Sequence, residues 1–301
     1  MDISLDNLAR RFASAGYVTT DDDQILITVF LALKLGKPLL VTGAPGVGKT
    51  EIAKVLSRVF DAELIRLQCY EGLDEHKALY EWNYQKQLLR IQLMKDQGGT
   101  AEKDLFSSQY LLARPLLKAI QNEHPTVLLI DEIDKTDEEF EAFLFEVLSD
   151  FQVSVPELGT IKAGRIPIVV LTSNGDRELS DGLKRRCVFL YVDLPSVDKE
   201  YRIIRARIPE AGERLGRQAA YALSLLRSGL ELRKMPSIAE TLDWVRALVT
   251  LDADRLTPEL VEKTLNTLLK TKDDLDSFHA GMGSHSLVDK AIAADNKNAG
   301  R

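Results

Sequence analysis

The sequence predicts an α/β sandwich on a parallel five-stranded sheet, followed by a smaller all-helical lid. Three observations predict it. Strand-like runs recur at 38–42, 63–67, 126–130, 166–172 and 187–192, the third continuously apolar, separated by stretches of helical period, as expected of a parallel sheet covered by crossover helices. After Asp193-Leu194-Pro195 the pattern turns to helix only. Between the first run and the helical segment behind it lies a glycine-rich loop, in the order strand, loop, helix.

In chain order, the first 21 residues read as a short helix and a turn at Gly16-Tyr17. Asp21, Asp22 and Asp23 can cap and charge the start of a helix running to Leu35, with Ile25, Val29, Ala32 and Leu33 on one face. The run Pro38-Leu39-Leu40-Val41-Thr42 is a short buried strand, and the segment from Glu51 to Leu56 has helical period. A second strand covers 63–67 and ends at Gln68. Residues 69–110 are the least regular. They hold the aromatic piece Leu79-Tyr80-Glu81-Trp82-Asn83-Tyr84, a helical run over 86–94 and a break at Asp96-Gln97-Gly98-Gly99-Thr100. So long a path between two strands of one sheet reads as an inserted element, although the same aromatics would serve equally as core. The third strand, 126–130, is continuously apolar. An acidic amphipathic helix follows over 137–148. A hairpin around a Pro-Glu-Leu turn follows at 151–163, and a strand over 166–172 ends in Ser173-Asn174. A short helix ending near Lys184 leads to the last strand, 187–192. Helices are expected over 197–207, 211–227, 237–250 and 258–270, with Gly, Pro or Asp at the breaks. From Lys272 the pattern is mixed. The expected organisation is a nucleotide-binding domain over 1–195, a helical lid over 196–271 and a partly disordered tail over 272–301.

Composition sets bounds. At 301 residues, 45% hydrophobic and 28% charged, the chain is that of an ordinary globular protein. A net charge of −7 argues against a general polyanion-binding surface. Cys69 and Cys187 are far apart and in no metal-ligand spacing, which suits a reducing compartment. The start of the chain lacks a basic segment and an apolar core of signal-peptide type, and no window approaches a membrane span. The expected location is cytoplasmic.

The loop carries the chemistry. Gly43-Ala44-Pro45-Gly46-Val47-Gly48-Lys49-Thr50 matches G-x-x-x-x-G-K-[ST] in the flanking context that makes the match a phosphate loop. Gly43 and Gly48 allow backbone angles that a Cβ forbids. N–H groups can then point at a polyphosphate near the positive end of the helix that begins around Glu51. Lys49 would reach the β- and γ-phosphates, and the Thr50 hydroxyl would ligate Mg²⁺. The expected ligands are therefore ATP and Mg²⁺.

Ligands of open parallel sheets bind at the carboxyl ends of the strands, and three further features land there. Asp131 closes the third strand, where it would hold Mg²⁺ beside Thr50. Glu132, next in sequence, can orient attacking water or take its proton. Two adjacent carboxylates become workable once a cation neutralises one of them. Asn174 follows the next strand, where its amide can contact both γ-phosphate and water. Arg185 and Arg186 precede the last strand, and either suits an arginine finger offered to a neighbouring subunit's γ-phosphate.

These residues resemble the AAA+ ATPases of the MoxR type over about 17–270. The carriers are GAPGVGKT at 43–50, VLLIDEID at 127–134, VPELGTIKA at 155–163, VLTSN at 170–174 and LKRRC at 183–187. Within that family the segments QCYEGLD at 68–74, ALYEWN at 78–83 and KMPSIAETLDW at 234–244 resemble the accessory ATPase of aerobic carbon monoxide dehydrogenase, the CoxD type. The resemblance implies a homo-oligomeric ring, usually hexameric, with ATP between subunits. It also implies a protein client, in this subfamily a molybdenum hydroxylase, and a von Willebrand A-domain partner. It makes Lys49 and Thr50 Walker A, Asp131 and Glu132 Walker B, Asn174 sensor 1, Arg186 the preferred finger with Arg185 second, and Gln68 a switch residue restraining Glu132. The hairpin around 153–163 would lie near the ring's pore and the 69–110 segment would face clients. One departure stands out: the family's sensor 2 arginine is replaced by Pro236-Ser237-Ile238-Ala239, which leaves Arg233 or Lys234 as substitutes.

Against an ATPase working on a protein client stand three alternatives. A nucleic-acid motor fits poorly with the acidic balance and the lack of a basic, aromatic-interleaved groove. A nucleotide-gated switch with little turnover would not need Glu132. A small-molecule kinase would not need a water-activating set.

Overall fold

The computed structural model describes residues 4–19, 24–95, 105–156 and 158–299. The expected Asp21–Asp23 cap, the break at 96–100 and Glu157 of the hairpin turn lie outside them. The chain divides into two compact units, one made of residues 1–15, 23–43 and 49–191, the other of residues 16–22, 44–48 and 192–301.

The first unit is built on strands β1 (Leu39–Thr42), β2 (Glu63–Gln68), β3 (Tyr80–Trp82), β4 (Leu111–Ala113), β5 (Thr126–Asp131), β6 (Gln152–Val155), β7 (Gly159–Lys162), β8 (Ile168–Ser173) and β9 (Val188–Tyr191). Five of them form one sheet in the order β2-β5-β8-β1-β9, every neighbouring pair parallel. This is the fold class the apolar runs predict. Every residue of β5 is buried, which explains why its sequence shows no alternation. Register sets Gln68 opposite Asp131 and Thr42 opposite Ser173. The carboxyl ends of β1, β2, β5 and β8 therefore share one edge of the sheet.

Local chemistry places the flanking helices. Lys49–Phe60 buries Ile52, Ala53, Val55 and Leu56. Glu138–Asp150 starts where the Asp137 side chain accepts from Phe140 N at 2.8 Å, and stops at Phe151 in the left-handed region. Sequence reasoning misses the helix Pro115–Gln121, whose proline occupies the first turn and whose Leu116, Leu117, Ala119 and Ile120 are buried. Its two turns are too short for a period to stand out. The hairpin is observed as antiparallel β6 and β7, with Val153 and Val155 buried.

The irregular 69–110 segment joins the core more fully than an insert would. Cys69 N donates to Asp131 O at 2.8 Å, continuing the β2–β5 ladder by one residue. Leu73, Leu79, Tyr80, Trp82 and Tyr110 are buried in the same cluster as Ile65, Leu117 and Leu128. Strands β3 and β4 pair antiparallel, and Trp82 meets Tyr80 and Phe106 edge-on. Helix Tyr84–Lys95 is different, leaving Tyr84, Leu88, Leu89 and Leu93 exposed.

The second unit is helical: Val197–Arg207, Gly212–Gly229, Ile238–Thr250, Pro258–Thr264, Lys272–Gly281 and Gly283–Ala299. Its core gathers Leu215, Leu223, Trp244, Phe278 and Leu287. Buried Glu200 accepts a bidentate pair from Arg227 at 2.6 and 2.8 Å and a bond from Thr241 Oγ1 at 2.6 Å, tying three of these helices together. The stretch from Lys272 departs from the expected loose tail. Thr271 caps Asp274 N at 3.1 Å, and Phe278, Leu287 and Ala291 are fully buried. Three apolar anchors in a polar stretch suffice for packing and are too few for a visible stripe.

Candidate functional site

Residues Ala44, Pro45, Gly46, Val47 and Gly48 form the loop that joins β1 to helix Lys49–Phe60, with Gly43 and Gly48 at φ 148° and 98°. Those angles exclude an ordinary L side chain. Lys49 opens the helix and is only 6% exposed. Its Nζ donates to Gly43 O and to Asn174 Oδ1, both at 2.7 Å. Burial lowers its pKa below the usual lysine value, against the opposing pull of Asp134, Asp131, Glu132 and Asp176. Thr50 Oγ1 donates to Asp131 Oδ1 at 3.2 Å. Glu51 turns toward Arg58, whose Nη2 donates to it at 2.6 Å.

Asp131 is 3% exposed at the end of β5. Besides Thr50, Thr172 Oγ1 of β8 donates to its Oδ1 at 2.5 Å, and Arg66 of β2 donates to its Oδ2. The same Thr172 oxygen accepts from Glu132 N at 2.9 Å. Glu132 has left-handed backbone, φ 59° and ψ 51°, a conformation that costs an L-residue about 1–2 kcal/mol. Such strain concentrates at working sites. Here it ends the strand alternation abruptly, and the Glu132 carboxylate meets Gln68 Nε2 at 3.0 Å and Asn174 Nδ2 at 3.5 Å.

Sequence reasoning assigned no role to two residues that the structure puts in this group. Asp134 is 4% exposed, and its Oδ2 accepts from the backbone N–H groups of Asn174 and Asp176, both at 3.0 Å. It fixes the loop that presents the Asn174 side chain. Its only sequence signal is its place as the second Asp of VLLIDEID. Arg66 is the other, and a basic residue two positions before the end of an edge strand carries no signal at all.

Lys49, Thr50, Asp131, Glu132, Asn174 and Gln68 thus come together at the carboxyl edge of the sheet. Arg185 and Arg186 do not join them. They end helix Asp181–Arg186 just before β9, at the opposite edge, roughly one strand length or ~13 Å away along the sheet. Arg186 is engaged where it stands: Nε donates to Ser149 Oγ at 2.8 Å, Nη1 donates to Gly182 O at 2.9 Å, and the guanidinium lies 4.1 Å from the Phe145 ring centre. Arg185 is exposed and has no side-chain partner among the described residues. Of the two, Arg185 is the exposed guanidinium and Arg186 the bonded one. Arg233 and Lys234 are held within the second unit, Arg233 by Asp273 at 2.6 Å and both backbone N–H groups by Asp274.

The donor set suits Mg²⁺. The Thr50 hydroxyl and the Asp131 carboxylate are hard oxygen donors side by side. Among the described residues no cluster of three His, Cys, Asp or Glu forms a closed metal cage. One carboxylate, one hydroxyl and substrate phosphates are the usual provision for this ion. No helix among the described residues is long and apolar enough to cross a membrane.

Residues 38–187 match the family model of the AAA domain, dynein-related subfamily. Among curated proteins the chain is similar to YojN of Bacillus subtilis (strain 168), an uncharacterized protein, with 28% identity over 194 residues. That match takes in 62% of this chain and spans 57% of the Bacillus protein. An uncharacterized protein of Staphylococcus aureus (strain USA300) is 27% identical over 245 residues, 79% of this chain and 85% of that one. Among solved structures, a point variant of Thermotoga maritima RuvB superposes with a TM-score of 0.49 and 18% identity, covering 88% of this chain and 70% of that one.

Proposed function

We propose that this chain, which belongs to the AAA+ ATPases of the dynein-related subfamily, binds ATP with Mg²⁺ and hydrolyses it in a homo-oligomeric, hexameric ring that remodels or matures a client protein. One observation carries the reading: Lys49, from the loop after β1, and Asn174, from the end of β8, meet at 2.7 Å beside the Thr50–Asp131 pair and the Glu132 carboxylate. A phosphate-binding cation, a metal-holding pair and a base for water are thus gathered at one sheet edge.

Thr50 and Asp131 would hold Mg²⁺, which supplies charge neutralisation between phosphate oxygens when bound. Lys49 exchanges Gly43 O and Asn174 Oδ1 for the phosphates. Asn174, released from Lys49, orients the γ-phosphate and the attacking water. Glu132 accepts the water's proton, and Gln68 restrains it until then. Arg185 extends from one subunit to the γ-phosphate held by its neighbour, which makes each site composite. The MoxR-type reading rests on VPELGTIKA, VLTSN and LKRRC. The narrower CoxD-type reading rests on the 68–83 and 234–244 segments and makes a molybdenum hydroxylase the client, with a von Willebrand A-domain partner, in the cytoplasm.

The test is a pair of variants. Glu132→Gln should bind ATP and turn it over about 10²–10⁴ times more slowly, whereas Lys49→Ala should lose binding. Normal turnover by Glu132→Gln would remove the base. A protein that stays monomeric at saturating ATP and still hydrolyses at full rate would remove the ring.

A further inference from the structure

Arg66 joins the two carboxylates of the site through a path that the nucleotide chemistry does not require. On β2, residues 66 and 68 project from the same face, and both are exposed. Asp131 stands directly opposite Gln68 and diagonally ahead of Arg66, a separation that a long side chain spans. The Arg66 guanidinium donates both to Asp131 Oδ2 and to Gln68 Oε1. The Gln68 amide nitrogen in turn donates to Glu132 Oε2 at 3.0 Å. The result is a continuous chain from Asp131 through Arg66 and Gln68 to Glu132.

The two ends of the Arg66–Asp131 pair differ in freedom. The arginine side chain is 53% exposed and the aspartate 4%. Asp131 is therefore fixed, while Arg66 can leave it for water. Both bonds leave one nitrogen, Nη2, which carries two N–H donors and spends one on each acceptor. The carboxylate that Arg66 neutralises is also the one placed beside the Thr50 hydroxyl, where a divalent cation would sit.

We propose that Arg66 is a positioning residue that holds the place of the divalent cation. While no metal is bound it neutralises Asp131 and keeps Gln68 on Glu132. When a divalent cation takes the Asp131 carboxylate, Arg66 gives up that carboxylate, Gln68 loses its fixed acceptor geometry, and Glu132 is released. Metal occupancy and base release become one event. This inference rests on the ATPase reading above.

The experiment measures metal binding apart from turnover. Mn²⁺ uptake by the full chain at saturating ADP is followed by the electron paramagnetic resonance of the free ion, and ADP affinity is measured separately in EDTA. Arg66→Ala and Arg66→Gln should bind Mn²⁺ about two- to fivefold more tightly than the wild type, the size expected for removing one exposed competing ion pair. Loss of a merely structural arginine would weaken the site or leave it alone. Unchanged or weaker Mn²⁺ binding in both variants, with ADP still bound, would overturn the proposal and leave the ATPase reading intact. A wild-type chain that binds ADP neither in EDTA nor with Mn²⁺ would overturn that reading itself.

Discussion

Lys49 Nζ donates to Asn174 Oδ1 at 2.7 Å across 125 residues of sequence. The parallel β1–β8 register, Thr42 opposite Ser173, makes the contact, because the two residues leave adjacent strand ends. The cation that would meet a phosphate and the amide that would sense it are, in the free chain, each other's partners. A bound phosphate would compete with Asn174 Oδ1 and Gly43 O for the Lys49 ammonium.

Asn174→Ala should therefore separate binding from turnover. Lys49 keeps Gly43 O, so ATP affinity should change by less than about threefold. The loss of a donor aimed at the reacting group should lower kcat by about 10²-fold. Steady-state kinetics with a parallel nucleotide titration checks this, and an equal loss in both would mean that Asn174 only shapes the loop.

Asp134 should behave as a clamp. Asp134→Ala leaves the N–H groups of Asn174 and Asp176 without their charged acceptor, at a cost of about 2–4 kcal/mol. Asp134→Asn keeps an acceptor oxygen and should recover more than half of that stability. Urea unfolding of both variants decides, and equal losses would refute the clamp.

The two arginines before β9 should part company. Arg185→Ala should leave thermal stability unchanged and lower turnover, with activity partly restored by mixing in Glu132→Gln subunits that supply the missing guanidinium. Arg186→Ala should lose the Phe145 stacking and the Ser149 and Gly182 bonds, costing about 1–2 kcal/mol of stability. Reversed phenotypes in melting and mixing assays would restore Arg186 as the finger.

Both thiols should be silent at neutral pH. Burial pushes Cys69 and Cys187 from the ordinary 9.0 up to about 12, helped at Cys69 by the neighbouring Asp131, Asp134 and Glu132. The unfolded chain ionises its thiols near pH 9 while the folded chain keeps the protons. Their stabilising contribution is thus complete below pH 9 and is lost as pH rises toward 12. Replacing Cys69 by Ala should flatten the fall in stability between pH 8 and 10.5 by about 1–2 kcal/mol. An unchanged pH slope in denaturant titrations would count against it.

Much of the fold and part of the site are legible in the residues. The strands at 39–42, 126–131 and 168–173 announce themselves as apolar runs, the edge strand at 63–68 by its alternation, and the loop from Gly43 to Thr50 by glycines whose positive φ no other residue accepts readily. Asp131, Glu132 and Asn174 follow once the strand ends are known, because parallel strands must present their carboxyl ends on one edge. Helix Pro115–Gln121 is too short to show a period. The helices after Lys272 are too polar to show a stripe. The aromatics at 80–82 could serve core or insert until Tyr80 and Trp82 are seen buried.

The sequence by itself determined the phosphate loop, the acidic pair after the third strand of the sheet and the class of architecture. Each of these depends on residues within one turn or one strand of each other, where backbone sterics and side-chain period act directly. Only the tertiary structure decided that Arg66 reaches Asp131, that Asp134 holds the Asn174 loop, and that Arg185 rather than Arg186 stands free. Those outcomes depend on the register between β2, β5 and β8 and on whether Phe145 packs beneath a guanidinium. Register and packing are settled by the whole hydrophobic core at once, so no local stretch of chain encodes them alone.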